Sequence, residues 1–128
     1  MKIIYYRDKP DLEPYSGLAR FIHYELRKKS LAQWEKLDFW IKECKERDSS
    51  FLRNMVREEE KKPWENRTLA DLKDGLYEYR GKKKSKTGTI RLYFCYVEET
   101  LYVLEAEYKT GDKDRIEIAR QRKKELKI

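Results

Sequence analysis

The stretch Ile90–Val97, with the sequence IRLYFCYV, is apolar or aromatic at every position except Arg91. Such a run predicts a central β-strand that is covered on both faces. A buried ion without a partner is costly, so the Arg91 guanidinium needs a carboxylate inside the fold or a concave surface that receives an anion. Glu78, Glu105 and Glu107 are the candidate carboxylates. Both alternatives can hold together, because a glutamate that pairs with Arg91 can also orient it toward an anion.

The segment before this strand, Arg80–Gly88, carries only positive charges. If it forms a loop between two strands, its lysines lie near the mouth of Arg91's strand, and phosphate is the anion we expect there. A basic hairpin tip can also serve only to discourage edge-to-edge aggregation, and that alternative stays open for each lysine. The candidate RNA-binding lysines of this segment are Lys82, Lys83, Lys84 and Lys86.

Two further strands flank Ile90–Val97. Leu76–Arg80 follows the turn dipeptide Asp74-Gly75 and alternates between its faces, as a strand does. After a short connection, Leu101–Tyr108 returns beside the central strand. The sequence therefore predicts a three-stranded antiparallel meander.

The rest of the chain predicts one strand and several helices around this meander. Lys2–Tyr6 is β-branched and aromatic, which indicates an N-terminal strand. Apolar periodicity predicts two or three helices before the meander and a basic helix after it. Their starts are placed after Pro14, at Ser30 (with Gln33 as a capping box), at Ser49 or Ser50, and at Asp112 or Asp114. The predicted class is α+β, in a single domain over residues 1–128.

The composition of the chain indicates which class of partner it binds. The chain has 128 residues, 31 Lys and Arg against 24 Asp and Glu, and a formal charge of +7, which suits a polyanion such as nucleic acid. Aromatic residues make up 13% of it, far above the content of chains that lack a core. No signal pattern opens the sequence and no apolar run approaches the length that spans a bilayer. We therefore expect a cytoplasmic protein with no membrane partner.

The residues able to carry chemistry are few. Cys44 and Cys95 lack metal-ligand spacing, so we expect reduced thiols in the core. His23, the only histidine, lies off the apolar stripe of its helix and is expected at the surface. No glycine-rich phosphate loop or metal-ligand pattern is present, so neither a metal nor a cofactor is expected. Any catalysis must use Arg, Lys, Tyr or Glu.

Five tyrosines interleave with the basic residues of the meander. Aromatic rings beside guanidinium groups are what unpaired nucleotides use for stacking. Tyrosine is also a good strand former, and sheet packing explains most of these positions. Tyr108, at a strand end beside Lys109, is the one we expect to be exposed and able to contact RNA.

The stretch Leu69–Lys109 resembles the RelE/HigB toxin superfamily and is most similar to its phage-derived HigB-like branch. The resemblance is carried by the strand Gly75–Arg80 (GLYEYR) and the arginine-bearing aromatic strand Ile90–Phe94. The N-terminal strand and the helices follow in the same order. Residues 27–68 match only in being helical.

The resemblance implies a small fold with a twisted antiparallel sheet. It also implies ribosome-dependent, metal-independent cleavage of messenger RNA, and inhibition by a cognate antitoxin of the helix-turn-helix type. The family arginine that contacts the scissile phosphate falls on Arg91, the first-strand arginine on Arg80, and a basic residue ending the last strand on Lys109. Several relatives carry a C-terminal tyrosine or histidine that this chain lacks, and Arg115 occupies the approximate place.

The implied reaction is attack of a ribose 2'-hydroxyl on the adjacent phosphate. A preorganised arginine stabilises the negative charge that develops on the phosphorane oxygens. Glu78 is the first candidate for the proton acceptor, and Lys82 or Lys84 is the alternative. Two other functions stay open: a ParE-like inhibitor of DNA gyrase, and an RNA-binding module of the same fold without catalytic activity.

Overall fold

The computed structural model describes residues 1–7, 9–82 and 87–128, and over these ranges the chain forms a six-stranded sheet flanked by helices. The strands are β1 Lys2–Tyr5, β2 Lys9–Pro10, β3 Leu69–Asp71, β4 Tyr77–Arg80, β5 Thr89–Val97 and β6 Thr100–Lys109. Their order is β2-β1-β6-β5-β4-β3. Neighbours are antiparallel except β1 and β6, which are parallel. The predicted α+β class is confirmed.

The predicted meander is present as β4, β5 and β6. A bulge next to Tyr93 and Phe94 leaves Leu104 without a partner in the β5–β6 register. The sheet is nevertheless larger than predicted, because β3 extends it beside β4 and β2 extends it beside β1. These two strands have three and two residues, too few to show an alternating pattern.

The helices are α1 Gly17–Arg20, α2 Arg27–Lys29, α3 Leu31–Glu46, α4 Ser49–Glu59 and α5 Ile116–Glu125. A π-helical segment, Phe21–Leu26, joins α1 to α2, and a short 3-10 helix covers Trp64–Asn66. At the predicted capping box, the hydroxyl of Ser30 accepts a hydrogen bond from the Gln33 amide at 3.3 Å. The second hydrogen bond of a capping box, from the Ser30 amide to the Gln33 side chain, does not form. That side chain bonds to the distant segment Gly88–Ile90 instead.

The sheet has two buried faces. One packs against the helices between β2 and β3, where Leu37, Trp40 and Leu52 meet Leu92 and Phe94. On the other face, Ala119 of α5 packs on a smaller cluster formed by Leu76, Tyr93, Cys95 and Leu104. Both cysteines are free and buried, as predicted. No helix in the described ranges is long and apolar enough to cross a membrane.

The prediction for His23 was wrong. Its side chain is 8% exposed, with Nε2 at 3.1 Å from the Tyr5 hydroxyl and 3.5 Å from Asp11 Oδ1. Its ring stacks on that of Tyr15 at a centroid distance of 4.1 Å. His23 lies in the π-helical segment, where the wider turn shifts every side chain away from the direction that a 3.6-residue period assigns to it.

Candidate functional site

Six residues of the meander, five of them charged, form two rows on the face of the sheet that packs against α5. Arg80 lies opposite Arg91 on β5, and Arg91 lies opposite Glu107 on β6. The neighbouring row consists of Glu78, Tyr93 and Glu105. Because strand side chains alternate between faces, both rows share the face that Leu76 and Cys95 cover further along their strands. We call these six residues, together with Arg115, the charged sheet patch.

Glu78 connects the two arginines. Its Oε1 accepts a hydrogen bond from Arg91 Nη1 at 2.8 Å and another from Arg80 Nε. Glu78 is 1% exposed and Arg80 is 6% exposed, while the Arg91 side chain keeps 15% of its surface. One carboxylate therefore faces two guanidinium groups, and Arg91 Nε has no hydrogen-bond partner among the described residues. Arg91 is paired inside the fold, and the trio of Glu78, Arg80 and Arg91 carries one net positive charge.

Trp64 extends this cluster toward solvent. Arg80 Nη1 donates to the carbonyl of Trp64, and the Arg80 guanidinium lies 4.6 Å from the centre of its ring. The guanidinium of Arg67 lies 5.3 Å from the same ring. Trp64 is 47% exposed, so its indole is an aromatic surface beside the two arginines. Sequence reasoning did not select Trp64 as a site residue. The signal that could have found it is a tryptophan close to a basic residue in a segment without helical or strand periodicity.

The other end of the patch is held by hydrogen bonds to two glutamates. Glu107 accepts from the Tyr93 hydroxyl at 2.6 Å and from the Arg115 amide at 2.8 Å. Glu105 accepts from Arg115 Nε at 2.7 Å and pairs with Arg122 at 3.3 Å. Burial raises the pKa of Tyr93, and its hydrogen bond to Glu107 raises it further. Tyr93 therefore stays protonated and is excluded as a base.

The β5 end of the loop between β4 and β5 is fixed to α3 by Gln33. Gln33 Nε2 donates to the Gly88 carbonyl at 3.0 Å, and the Ile90 amide donates to Gln33 Oε1 at 2.8 Å. A Cβ on Gly81 would lie 2.6 Å from Gln33 Oε1, and one on Gly88 would lie 2.1 Å from the Tyr108 ring. Both glycines are needed for these close approaches.

The remaining predicted site residues lie around this loop and the adjoining strand ends. Lys82 Nζ donates to the Thr87 hydroxyl across the loop. Tyr108 is partly buried against Gly88, rather than exposed as predicted. Lys109 ends β6 opposite Thr89 and is partly exposed. The Arg115 side chain is 47% exposed. The predicted Lys83, Lys84 and Lys86 lie outside the described residues.

The exposed 15% of the Arg91 side chain is the part of this arrangement that an anion can approach. Glu78 is closed to solvent beneath two guanidinium groups, so its geometry fits a residue that orients Arg91 and Arg80 rather than one that receives a proton from a substrate. Within the ranges 1–7, 9–82 and 87–128, no group of three or more His, Cys, Asp or Glu side chains is placed to hold a metal ion.

Comparison of the chain with protein-family models, curated proteins and solved structures gives no match. A functional argument for this chain therefore depends on the charged sheet patch, on Trp64 and on the motifs of the meander.

Proposed function

We propose that the chain is the toxin of a type II toxin–antitoxin system, similar to the RelE/HigB superfamily, and cleaves messenger RNA on the ribosome without a metal ion or cofactor. The observation that carries the proposal is the pairing of Arg80 and Arg91 with the single carboxylate of Glu78. Its surplus positive charge lies on a strand whose sequence carries the resemblance to that superfamily.

In the proposed reaction, a ribose 2'-hydroxyl attacks the adjacent phosphate, and the bond from phosphorus to the 5'-oxygen breaks, which leaves a 2',3'-cyclic phosphate and a 5'-hydroxyl. Negative charge develops on the non-bridging oxygens in between. Arg91 is the donor that we assign to those oxygens. Its hydrogen bond to Glu78 holds the guanidinium before the substrate arrives, so little reorganisation is needed as the charge develops. Removing one such donor from an active site costs about 3 kcal/mol, or roughly a hundredfold in rate.

The roles of the other residues follow from their exposure. Arg80 is buried and bonded to both Glu78 and Trp64, so it positions Arg91 and the indole rather than meeting RNA directly. Trp64 is available for stacking with an unpaired base, which contributes about 1 to 3 kcal/mol per base. Lys109 and Arg115, with the lysines of the 82–86 segment, contact the RNA backbone in this proposal. Proton abstraction falls to one of those lysines because Glu78 is inaccessible.

The fold supports the proposal at a coarse level. The meander β4–β6, the strand β1 and the closing helix α5 are the elements that the resemblance implies. The strand order differs from the arrangement that the resemblance implies, because β2 and β3 extend both edges and β1 lies parallel to β6 where an antiparallel sheet was expected. In the proposal, the partners are the ribosome, messenger RNA and a helix-turn-helix antitoxin.

Inducing the chain in a bacterial host and mapping RNA ends tests the proposal. The wild type should arrest growth and produce cuts in codon phase within translated messages, while Arg91→Ala should do neither. Arg57→Ala, at an exposed arginine near the end of α4, is the matched control and should behave as the wild type. Equal toxicity of the wild type and Arg91→Ala would contradict the proposed role of Arg91.

The same experiment separates the two alternatives. Growth arrest with DNA damage and uncut messages would indicate a gyrase inhibitor. Binding to ribosomes or RNA without any cleavage would indicate a non-catalytic RNA-binding module, a function that the inaccessibility of Glu78 also fits. Either result would overturn the nuclease proposal.

A further inference from the structure

Strand β6 lies between β1 and β5, but β1 covers only the first part of it. β1 pairs with β6 only from Thr100 to Val103, and the last bond of this ladder runs from the Tyr6 amide to the Val103 carbonyl at 2.8 Å. The chain then turns at Arg7, which has a φ of 72°, and returns as β2 on the far side of β1. Over the described ranges, Glu105–Lys109 has no strand on the side opposite β5.

This edge opens onto a cleft of about 630 Å³. The wall opposite the strand is formed by the start of α1 and the π-helical segment, which contribute Leu18 and Phe21. Phe21 is 37% exposed, so its ring can contact a molecule bound in the cleft. We call this cleft the β6 groove. Its aromatic and apolar lining is Tyr6, Leu18, Phe21, Ala106 and Tyr108.

The rim of the β6 groove is cationic. Arg7, Lys9, Arg115 and Arg122 line it, against the two carboxylates of Glu105 and Glu107. Both glutamates are buried and already bonded, Glu105 to the two C-terminal arginines and Glu107 to Tyr93. Arg7 and Lys9 pair with no carboxylate among the described residues. The free charge of the groove is therefore positive.

The main chain of the edge pairs with no other strand in the part of the chain that the structure describes, and its Ala106 amide is satisfied locally. The Ala106 amide donates at 2.9 Å to the Glu105 side chain rather than to a neighbouring strand. A carboxylate oxygen thus occupies the place where the carbonyl of an added strand would bind. Since Glu105 also holds Arg115 and Arg122, it keeps its partners if an added strand displaces it from Ala106.

We propose that the β6 groove binds an extended acidic peptide segment of a partner protein, which adds as a strand along Glu105–Lys109. Main-chain hydrogen bonds to an unpaired edge supply affinity, and alternating side chains supply specificity. Apolar side chains of the segment would enter the lining formed by Leu18 and Phe21, while its carboxylates would meet Arg7 and Lys9. The inference does not depend on the nuclease proposal.

Titration with a synthetic peptide tests this inference. The probe is an eight-residue fluorescent peptide of alternating glutamate and valine, and its anisotropy is measured with the full chain. It should bind, and the double variant Arg7→Glu, Lys9→Glu should weaken binding at least about tenfold. The matched control is Lys28→Glu, Lys36→Glu, at two exposed lysines outside the groove, and should bind as the wild type.

Two further probes separate strand addition from simple charge attraction. A peptide N-methylated at alternate amides cannot donate to the edge and should bind at least tenfold more weakly than the parent. Amide hydrogen exchange of the complex should slow at Ala106 and Tyr108. Equal binding of the methylated peptide, or protection at the β3 edge instead, would overturn the proposal. So would an absence of peptide binding, or preferential binding of an eight-nucleotide RNA that depends on Arg7 and Lys9.

Discussion

Arg80 and Arg91 lie directly opposite each other on β4 and β5, two like charges held together by one carboxylate. Like charges in this position repel and destabilise a sheet. The carboxylate of Glu78 offsets the repulsion, and its burial excludes water from the contact. The cationic site of this protein is thus built around an anion of its own.

Replacing Glu78 with glutamine should be strongly destabilising. The two guanidinium groups would lose their shared counterion, and breaking a buried pair in this way costs about 3 kcal/mol. Urea unfolding measures the loss, and added phosphate should restore stability more in Glu78→Gln than in the wild type, because only the variant lacks a counterion for its two guanidinium groups. Glu35→Gln, at an exposed position of α3, is the control and should change stability little. A stable, phosphate-insensitive Glu78→Gln protein would contradict this account.

Replacing Gln33 with leucine should destabilise the chain by about 2 kcal/mol, because the Ile90 amide would stay buried without an acceptor. The substitution should also weaken RNA binding, since the end of the basic loop would no longer be fixed to α3. Gln33→Glu keeps an acceptor for the Ile90 amide but buries a carboxylate against the Gly88 carbonyl, so it should also be destabilising at neutral pH and should regain stability in acid, where the protonated carboxyl can donate to Gly88. Unfolding free energies and RNA titrations measure both effects, and a Gln33→Leu protein as stable as the wild type would refute the role given to Ile90.

Adding a methyl group at Gly88 should cost about 1 to 3 kcal/mol, because its Cβ would overlap the Tyr108 ring. Gly111→Ala is the matched control, since a Cβ there meets nothing within 4 Å. Tyr108→Ala should make the Gly88 substitution much less costly in a double-mutant cycle. An equal cost of Gly88→Ala with and without the tyrosine would show that the ring is not the obstacle.

Stability should fall in acid through Asp11. Burial alone would raise the pKa of Asp11, but the nitrogens of His23 and Lys45, which face its two carboxylate oxygens, lower it to about 2. Because the folded-state pKa lies below the ordinary value, Asp11 stabilises the fold above about pH 4, and this contribution is lost between about pH 4 and pH 2. The loss is about 2 kcal/mol.

Urea unfolding across this pH range measures the contribution of Asp11. Asp11→Asn should be less stable than the wild type at neutral pH, and the difference should shrink as the pH falls toward 2. Asp112→Asn, in an exposed loop, is the control and should follow the wild type throughout. A difference between the wild type and Asp11→Asn that does not change with pH would rule out titration of this carboxyl.

The meander and the position of Arg91 on its central strand were predictable because their signals are local, whereas the expectation that Arg91 faces an open anion-binding surface gave too little weight to internal pairing. Alternation, an apolar run and a turn dipeptide are all read from adjacent residues. The pairing of Arg91 with Glu78 was one of three alternatives, and only the β4–β5 register selects it.

What could not be predicted depends on contacts between distant parts of the chain. The Gln33 side chain bonds to residues 55 and 57 positions away, so its helical pattern alone gives no sign of that role. His23 was misplaced by a π-helical segment that changes the period of its helix. Trp64 gains its importance only when Arg80 is brought beneath it from β4.

The most direct test of the central claim is the cleavage rate of ribosome-bound messenger RNA by purified protein in a translating extract. The wild type should cut within codons, and Arg91→Ala should cut roughly a hundredfold more slowly while remaining folded and ribosome-bound. Arg91→Lys should recover only part of the rate, because one ammonium group cannot bond to Glu78 and phosphate in the same geometry. Unchanged cleavage by Arg91→Ala, or no cleavage by the wild type, would contradict the account.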